Sequence, residues 1–316
     1  MKMLLIASLF AAMLLPAQKP TQPKRPRILG ISHIALFVHD IEKSRAYYTD
    51  FLGFKEVFKL DKPDGSLSLT FVKINDRQVI ELFPEIAPDT DRLNHISIEV
   101  DDAEAMRAYL GAKGIKVPDK VGKGRIENSN FNVKDADGHT VEIVQYEPDG
   151  WTIRDKGKAI DGPRISTRIM HLGIIVGALE PAMNFYRDIL GFEEIWRGSK
   201  DGKQLSWVNM KVPDGNDYIE FMLYDKIPAA TARGSQHHIC LEVADIDKSL
   251  ADLERRPARQ AYTRPMEIRT GINRKRQLNL FDPDGTRAEL MEAKTIDGKP
   301  TPSSPAPPPS PTPKAQ

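Results

Sequence analysis

Apolar and polar residues alternate from Ile31 to Val38 with the period of a half-buried strand. At Asp40 the pattern changes to a helical spacing that runs from Ile41 to Phe51 and closes at Gly53. Three more strands are predicted near Lys55–Leu60, Leu67–Ile74 and Gln78–Phe83, with Asp64-Gly65 and Asn75-Asp76 as the turns between them. The same order then recurs. A strand at His95–Val100 precedes a helix at Ala103–Leu110, a strand near Lys116–Asp119 and a hairpin from Phe131–Lys134 to Thr140–Tyr146 that turns at Asp137-Gly138. The rest of the chain repeats the series, with helices at Leu179–Leu190, where Pro181 falls in the tolerant first turn, and at Ile246–Glu254. The pattern therefore predicts an α+β protein of four βαβββ modules.

The halves read as copies of one another. Ile31–Asp40 aligns with Ile169–Ala178 and Tyr47–Val57 with Phe185–Ile195, at one constant offset. Asn94–Val100 then aligns with His237–Val243, and Asp137–Glu142 with Asp284–Glu289, after small insertions. At roughly 100–200 residues per domain, a chain of 316 residues accommodates two such units. The expected boundaries are 28–147 and 165–294, joined by a linker at 148–164 without apolar periodicity. After residue 295 the chain is rich in proline and is expected to form an extended, mobile tail to residue 316.

Residues 1–17 have the layout of an export signal. Lys2 precedes an apolar run from Leu4 to Leu15 and a cut after Ala17, followed by a linker at 18–27. That run is too short for a bilayer core of about 30 Å, so no stable membrane span is expected once the signal is removed, and the protein is expected to be periplasmic or secreted. Cys240 is the sole cysteine, which excludes an intramolecular disulfide even in an oxidising compartment. With 45 Lys and Arg against 44 Asp and Glu there is no basic excess to attract a polyanion, so the expected partner is a small-molecule substrate and not a nucleic acid. An oligomer is compatible with the sequence.

Strand parity supplies the candidate chemistry, because side chains two residues apart share a face. Ile34, Leu36 and Val38 form the face that packs on the helix, which sends His33 to the opposite, concave side. By the same parity Glu81, His95 and Glu142 point inward in the first half, and His171, Glu220, His238 and Glu289 in the second. Carboxylates on an enclosed face are costly unless paired or bound to a cation, and two of them beside two imidazoles suit a divalent transition ion: Zn, Ni, Co, Mn or Fe(II). Phe37, Phe83, Val144, Tyr146, Met222 and Tyr224 share that face and would line or fill the cup. Glu99 and Glu242 are expected to be solvated at strand ends, His39, His139 and His237 to lie at the surface, and Cys240 to be a packed thiol.

A His at the head of each module, Leu-Gly-Phe after the first helix of each half, and Asp-x-Asp-Gly-x-x-x-Glu at the last strand carry a family resemblance. Over Ile28–Glu147 and Ile165–Ala293 the chain resembles the vicinal oxygen chelate superfamily, the group of glyoxalases, bleomycin-resistance proteins and extradiol dioxygenases. The resemblance implies two domains with curved, cup-like mixed sheets, each with one metal site on the quartets named above. It implies a lyase or isomerase acting through a metal-stabilised enediolate, with Glu81 or Glu142, and Glu220 or Glu289, as the base. Where glyoxalase I holds glutathione with Arg and Asn, this chain has Phe37 and Ile175, and Glu85 and Tyr224, which points to a substrate other than the glutathione adduct. Extradiol dioxygenases of the superfamily use three Fe(II) ligands with a catalytic His near the position of Glu81 and Glu220, and a Tyr in the region of Asn132 and Asn279. That alternative therefore fits less well. A metal-independent, ligand-sequestering protein of bleomycin-resistance type is the other alternative, and intact quartets in both halves argue against it.

Overall fold

The computed structural model of the protein describes residues 23–310, and the expected export signal at 1–17 lies outside them. The first half runs β1 (Ile28–Val38), α1 (Ile41–Ala46), β2 (Lys55–Asp61), β3 (Leu67–Lys73), β4 (Val79–Pro84), β5 (Leu93–Val100), α2 (Ala103–Ala112), β6 (Gly122–Lys123), β7 (Ser129–Lys134) and β8 (Thr140–Gln145). A short helix α3 (Trp151–Arg154) lies in the connection. The second half runs β9 (Ile169–Val176), α4 (Leu179–Met183), β10 (Glu193–Gly198), β11 (Trp207–Lys211), β12 (Tyr218–Leu223), β13 (His238–Val243), α5 (Ile246–Glu254), β14 (Ile268–Thr270), β15 (Lys275–Phe281) and β16 (Arg287–Thr295). Asp40, Asp102 and Asp245 each cap a following helix by accepting a backbone N–H three residues on. Helices α1 and α4 each continue into a wider π-turn, Tyr47–Phe51 and Asn184–Ile189.

Each half is one eight-stranded mixed sheet, in the orders β2-β3-β4-β1-β5-β8-β7-β6 and β10-β11-β12-β9-β13-β16-β15-β14. The first strands of the two modules pair antiparallel, β1 with β5 and β9 with β13, so modules pair within a half. The four strands that carry the ligand candidates are consecutive at the centre of each sheet: β4-β1-β5-β8 and β12-β9-β13-β16. On the convex face Ile34, Leu36, Ile80, Ile96, Ile98 and Val141 pack under the helices, and this core is continuous with its counterpart in the second half.

The halves also exchange hydrogen bonds related by approximate two-fold symmetry. Tyr48 Oη donates to Asp282 Oδ2 at 3.3 Å, and Tyr186 Oη to Asp135 Oδ2 at 3.0 Å. Gln78 Oε1 accepts from Ile169 N at 2.8 Å, and the matching Asp217 Oδ2 accepts from Ile31 N at 3.0 Å.

Four expectations are corrected. No strand forms at Lys116–Asp119; Pro118 lacks the N–H a ladder needs, and pairing begins at β6. His139 and His237 are not surface residues but face each other between the halves, ring centroids 5.3 Å apart, with His237 only 1% exposed. Glu99 is buried and paired with Arg77, and Glu242 is paired with Arg168 at 2.7 Å, so neither is simply solvated. The tail is extended as expected, but to residue 310 it lies against the second half. Leu205 N donates to Pro307 O at 2.8 Å, Ser304 N donates to Arg197 O at 2.9 Å, and Ala306 is buried. An extended proline-rich segment keeps its carbonyls free to accept such bonds. Among the described residues no helix is long and apolar enough to cross a membrane.

Candidate metal centres

The register of the central strands builds each site from two adjacent rows. In the first half Glu81 and His95 both stand opposite Ala35, while His33 and Glu142 both stand opposite Ser97. In the second half Glu220 and His238 flank Gly173, while His171 and Glu289 flank Cys240. Four long polar side chains thus lean inward over two small ones, and the parity that places them is a property of the backbone alone.

All eight residues come together as two quartets. His33 Nε2 and His95 Nε2 are 2.9 Å apart, with carboxylate oxygens of Glu81 and Glu142 at 3.6–3.8 Å from them. In the second half His171 Nε2 and His238 Nε2 are 3.1 Å apart, with Glu220 and Glu289 at 3.5–3.9 Å. The imidazoles cross edge to face in both sites, at 78° and 89°.

The outer nitrogens decide what the inner ones can do. His33 Nδ1 bonds Ser32 Oγ at 2.9 Å, and that hydroxyl in turn bonds Tyr146 Oη at 2.6 Å. His95 Nδ1 donates to Asn94 Oδ1 at 3.1 Å and His238 Nδ1 to Gln236 O at 2.7 Å. With the proton held on Nδ1, Nε2 of His33, His95 and His238 presents a lone pair to the centre, while His171 Nδ1 is buried without a hydrogen-bond partner. Two lone pairs facing at 2.9 Å repel unless a cation or proton lies between them, and outer-nitrogen bonds of this kind are how ligating histidines are oriented. The donor set, two imidazoles and two carboxylates, fits a divalent transition ion.

Electrostatics distinguish the halves. In the first, burial lowers His33 well below its usual range and His95 to about 4, and burial raises Glu81 well up and Glu142 to about 7. Without a cation, that quartet therefore favours its uncharged forms. In the second, Arg287 Nη2 lies over the His238 ring, 2.8 Å from Nδ1 and 3.1 Å from Nε2. Burial and this guanidinium lower His238 to about 3. Burial raises Glu220, whereas for Glu289 the two imidazoles and Arg287 outweigh burial and hold it well below the ordinary carboxylate range.

The first site opens into a cavity of about 150 Å³ that Phe58, Leu69, Phe71, Phe83, Ile126 and Val144 help to wall. The second opens into about 260 Å³ beside Trp196, Trp207, Arg269, Gln277, Asn279 and Arg287. Phe83, Val144 and Tyr146, expected on the cup face, line the first cavity; Phe37, Met222 and Tyr224 line neither. Cys240 is the packed thiol expected, fully buried and with its pKa raised by burial. Arg287 was missed although it lies two residues before Glu289 and so on the same face. Ser32, an orienting partner of His33, carries no such signal, since it lies on the opposite parity.

A tandem pair of curved sheets, each with an inward quartet on its four central strands, defines the class. The family model of the Glyoxalase/Bleomycin resistance protein/Dioxygenase superfamily matches residues 30–143 and 168–290, and the chain belongs to that superfamily. A lactoylglutathione lyase of Neisseria meningitidis is 32% identical over 127 residues, covering 37% of this chain and 91% of that protein. Among solved structures, a Mn(II)-bound glyoxalase from Novosphingobium aromaticivorans aligns at TM-score 0.63 and 18% identity, over 84% of this chain and 83% of that one. A variant of homoprotocatechuate 2,3-dioxygenase from Brevibacterium fuscum aligns at TM-score 0.65 and 17% identity, over 90% and 77%. At such identities the structural likeness speaks for the fold.

Proposed function

We propose that the protein is a divalent-metal-dependent enzyme of the lyase or isomerase kind, exported, acting on a small substrate with two vicinal oxygens that is not a glutathione adduct. The observation that carries this is the pair of quartets in which imidazole Nε2 atoms converge at 2.9 and 3.1 Å beside two carboxylates each. His33, Glu81, His95 and Glu142 would hold one ion, and His171, Glu220, His238 and Glu289 the other. The ion, when bound, supplies Lewis acidity that stabilises negative charge developing on the substrate oxygens.

The chain's own groups do the rest. A carboxylate of Glu81 or Glu142, or of Glu220 or Glu289, takes a proton from the carbon beside the carbonyl and returns it to the same or the neighbouring carbon. The apolar wall of the first cup keeps bulk water from that proton. The four-residue donor sets support this reading over an Fe(II) dioxygenase.

The test begins with metal titration of the full chain. The proposal expects two Mn²⁺ or Ni²⁺ per chain, with one lost in Glu142→Gln and the other in Glu289→Gln. Loaded protein should then exchange the carbon-bound proton of a small 2-hydroxy carbonyl compound for solvent deuterium, read by NMR. A chain that takes up no divalent ion under these conditions would refute the reading.

A further inference from the structure

The quartets are alike, but their surroundings are not. Arg287 stands opposite His238 in the register, where the first half places the uncharged Thr140 next to His95's strand position. If each quartet holds a divalent ion, the two carboxylates of the first site cancel its charge and leave the site neutral. In the second site Arg287 adds one positive charge. The cavity walls follow the same division. Trp196, Arg287 and Asn279 all line the second cavity, and in each of them one buried polar atom, Trp196 Nε1, Arg287 Nε and Asn279 Oδ1, has no hydrogen-bond partner. An unpaired buried donor is costly, and two such donors beside one cavity call for an acceptor from outside the protein. Arg269 lies at its rim, exposed and paired with Glu267 at 2.8 Å. Among the described residues no side chain lining the first cavity has such an unpaired buried atom. Its one arginine, Arg125, is exposed and donates to Ser68 Oγ at 2.9 Å.

We infer that the two sites divide their ligands by the tail that follows the chelating oxygens: the second takes a tail ending in a carboxylate, the first a small apolar tail. This rests on the metal-chelate reading above. Arg287 and Trp196 would donate to the carboxylate, a match the planar guanidinium suits, while the phenylalanine-walled cup of the first site would desolvate such a charge without repaying it.

Two 2-oxo acids with the same chelating head test this: 2-oxoglutarate, with a carboxylate tail, and 4-methyl-2-oxopentanoate, with an apolar one. The full chain is compared with His33→Ala/Glu142→Gln, which leaves only the second site, and His171→Ala/Glu289→Gln, which leaves only the first. Calorimetric titration with Mn²⁺ comes first, and one ion per variant shows that the surviving half is intact.

Each acid is then titrated into the Mn²⁺-loaded proteins by calorimetry, with tryptophan fluorescence as a second readout from Trp196 and Trp207. The second site alone should bind 2-oxoglutarate at least about tenfold more tightly than the apolar acid, and the first site alone should reverse that order. Arg287→Met should abolish the preference and keep the Mn²⁺ stoichiometry. Mn²⁺ binding with the same ranking at both sites, no effect of Arg287→Met, or no binding of either acid would overturn the inference and leave the metal reading standing. Absence of Mn²⁺ binding in every protein would overturn both.

Discussion

Between the four long side chains of each site stand two small ones, Ala35 and Ser97 in the first half, Gly173 and Cys240 in the second. They set how far the ligands can lean. A β-carbon on Gly173 would run into the His238 ring, so that ring occupies space that the first half gives to a methyl group. Gly173→Ala should therefore displace His238 and weaken Mn²⁺ binding at the second site by about tenfold or more, as loss of ligand orientation does elsewhere. Binding at the first site should stay as it was. Calorimetry on variants with a single site decides this, and unchanged affinity at the second site would contradict it. The convergence of the eight candidate residues was legible in the sequence because strand parity needs only local pattern. The clash at Gly173 and the contact of Arg287 with His238 were not, because they depend on how far two neighbouring strands are staggered.

At the level of elements, the symmetry between halves is broken where a hairpin of one meets the helix of the other. Asp135 accepts from Tyr186 and also pairs with His139 at 2.8 Å. In the matching hairpin the place of His139 is taken by Thr286, and Asp282 meets Tyr48 without an imidazole beside it. Burial pushes Asp282 up to about 7, whereas for Asp135 the His139 contact outweighs burial and lowers it. The folded protein thus binds a proton at Asp282 that the unfolded chain, near 3.8, has already released. This contribution to stability is full below pH 4 and is lost as the pH rises towards 7. Asp282→Asn should remove that dependence. Relative to the parent, the variant should gain on the order of 1 to 3 kcal/mol between pH 5 and pH 8 in urea unfolding, and a difference constant with pH would refute the assignment. Local pattern gave α5 its observed bounds, yet it placed His139 and His237 at the surface, since what buries them is the other half of the molecule.

The whole molecule carries one convex core, shared across both halves, and two separate concave sites. A chain cut to residues 23–164 would expose the helix face that the second half covers, and it should fail to give the sharp unfolding transition of the full protein. A cooperative transition of the isolated half, followed by circular dichroism, would show instead that the cores are independent. The strap at 301–307 is held by a few backbone bonds and one buried alanine. Ending the chain at Lys299 should lower the melting temperature by only about 1–2 °C, in keeping with roughly 1 kcal/mol for such contacts.

Cys240 gives this architecture an internal clock. The lone thiol lies beneath the second quartet, wholly enclosed, so a water-soluble disulfide reagent can reach it only when that sheet parts. Its labelling rate counts those openings. If the shared core ties the halves together, a substitution far away at Tyr48 will quicken the reaction as much as one beside the sulfur.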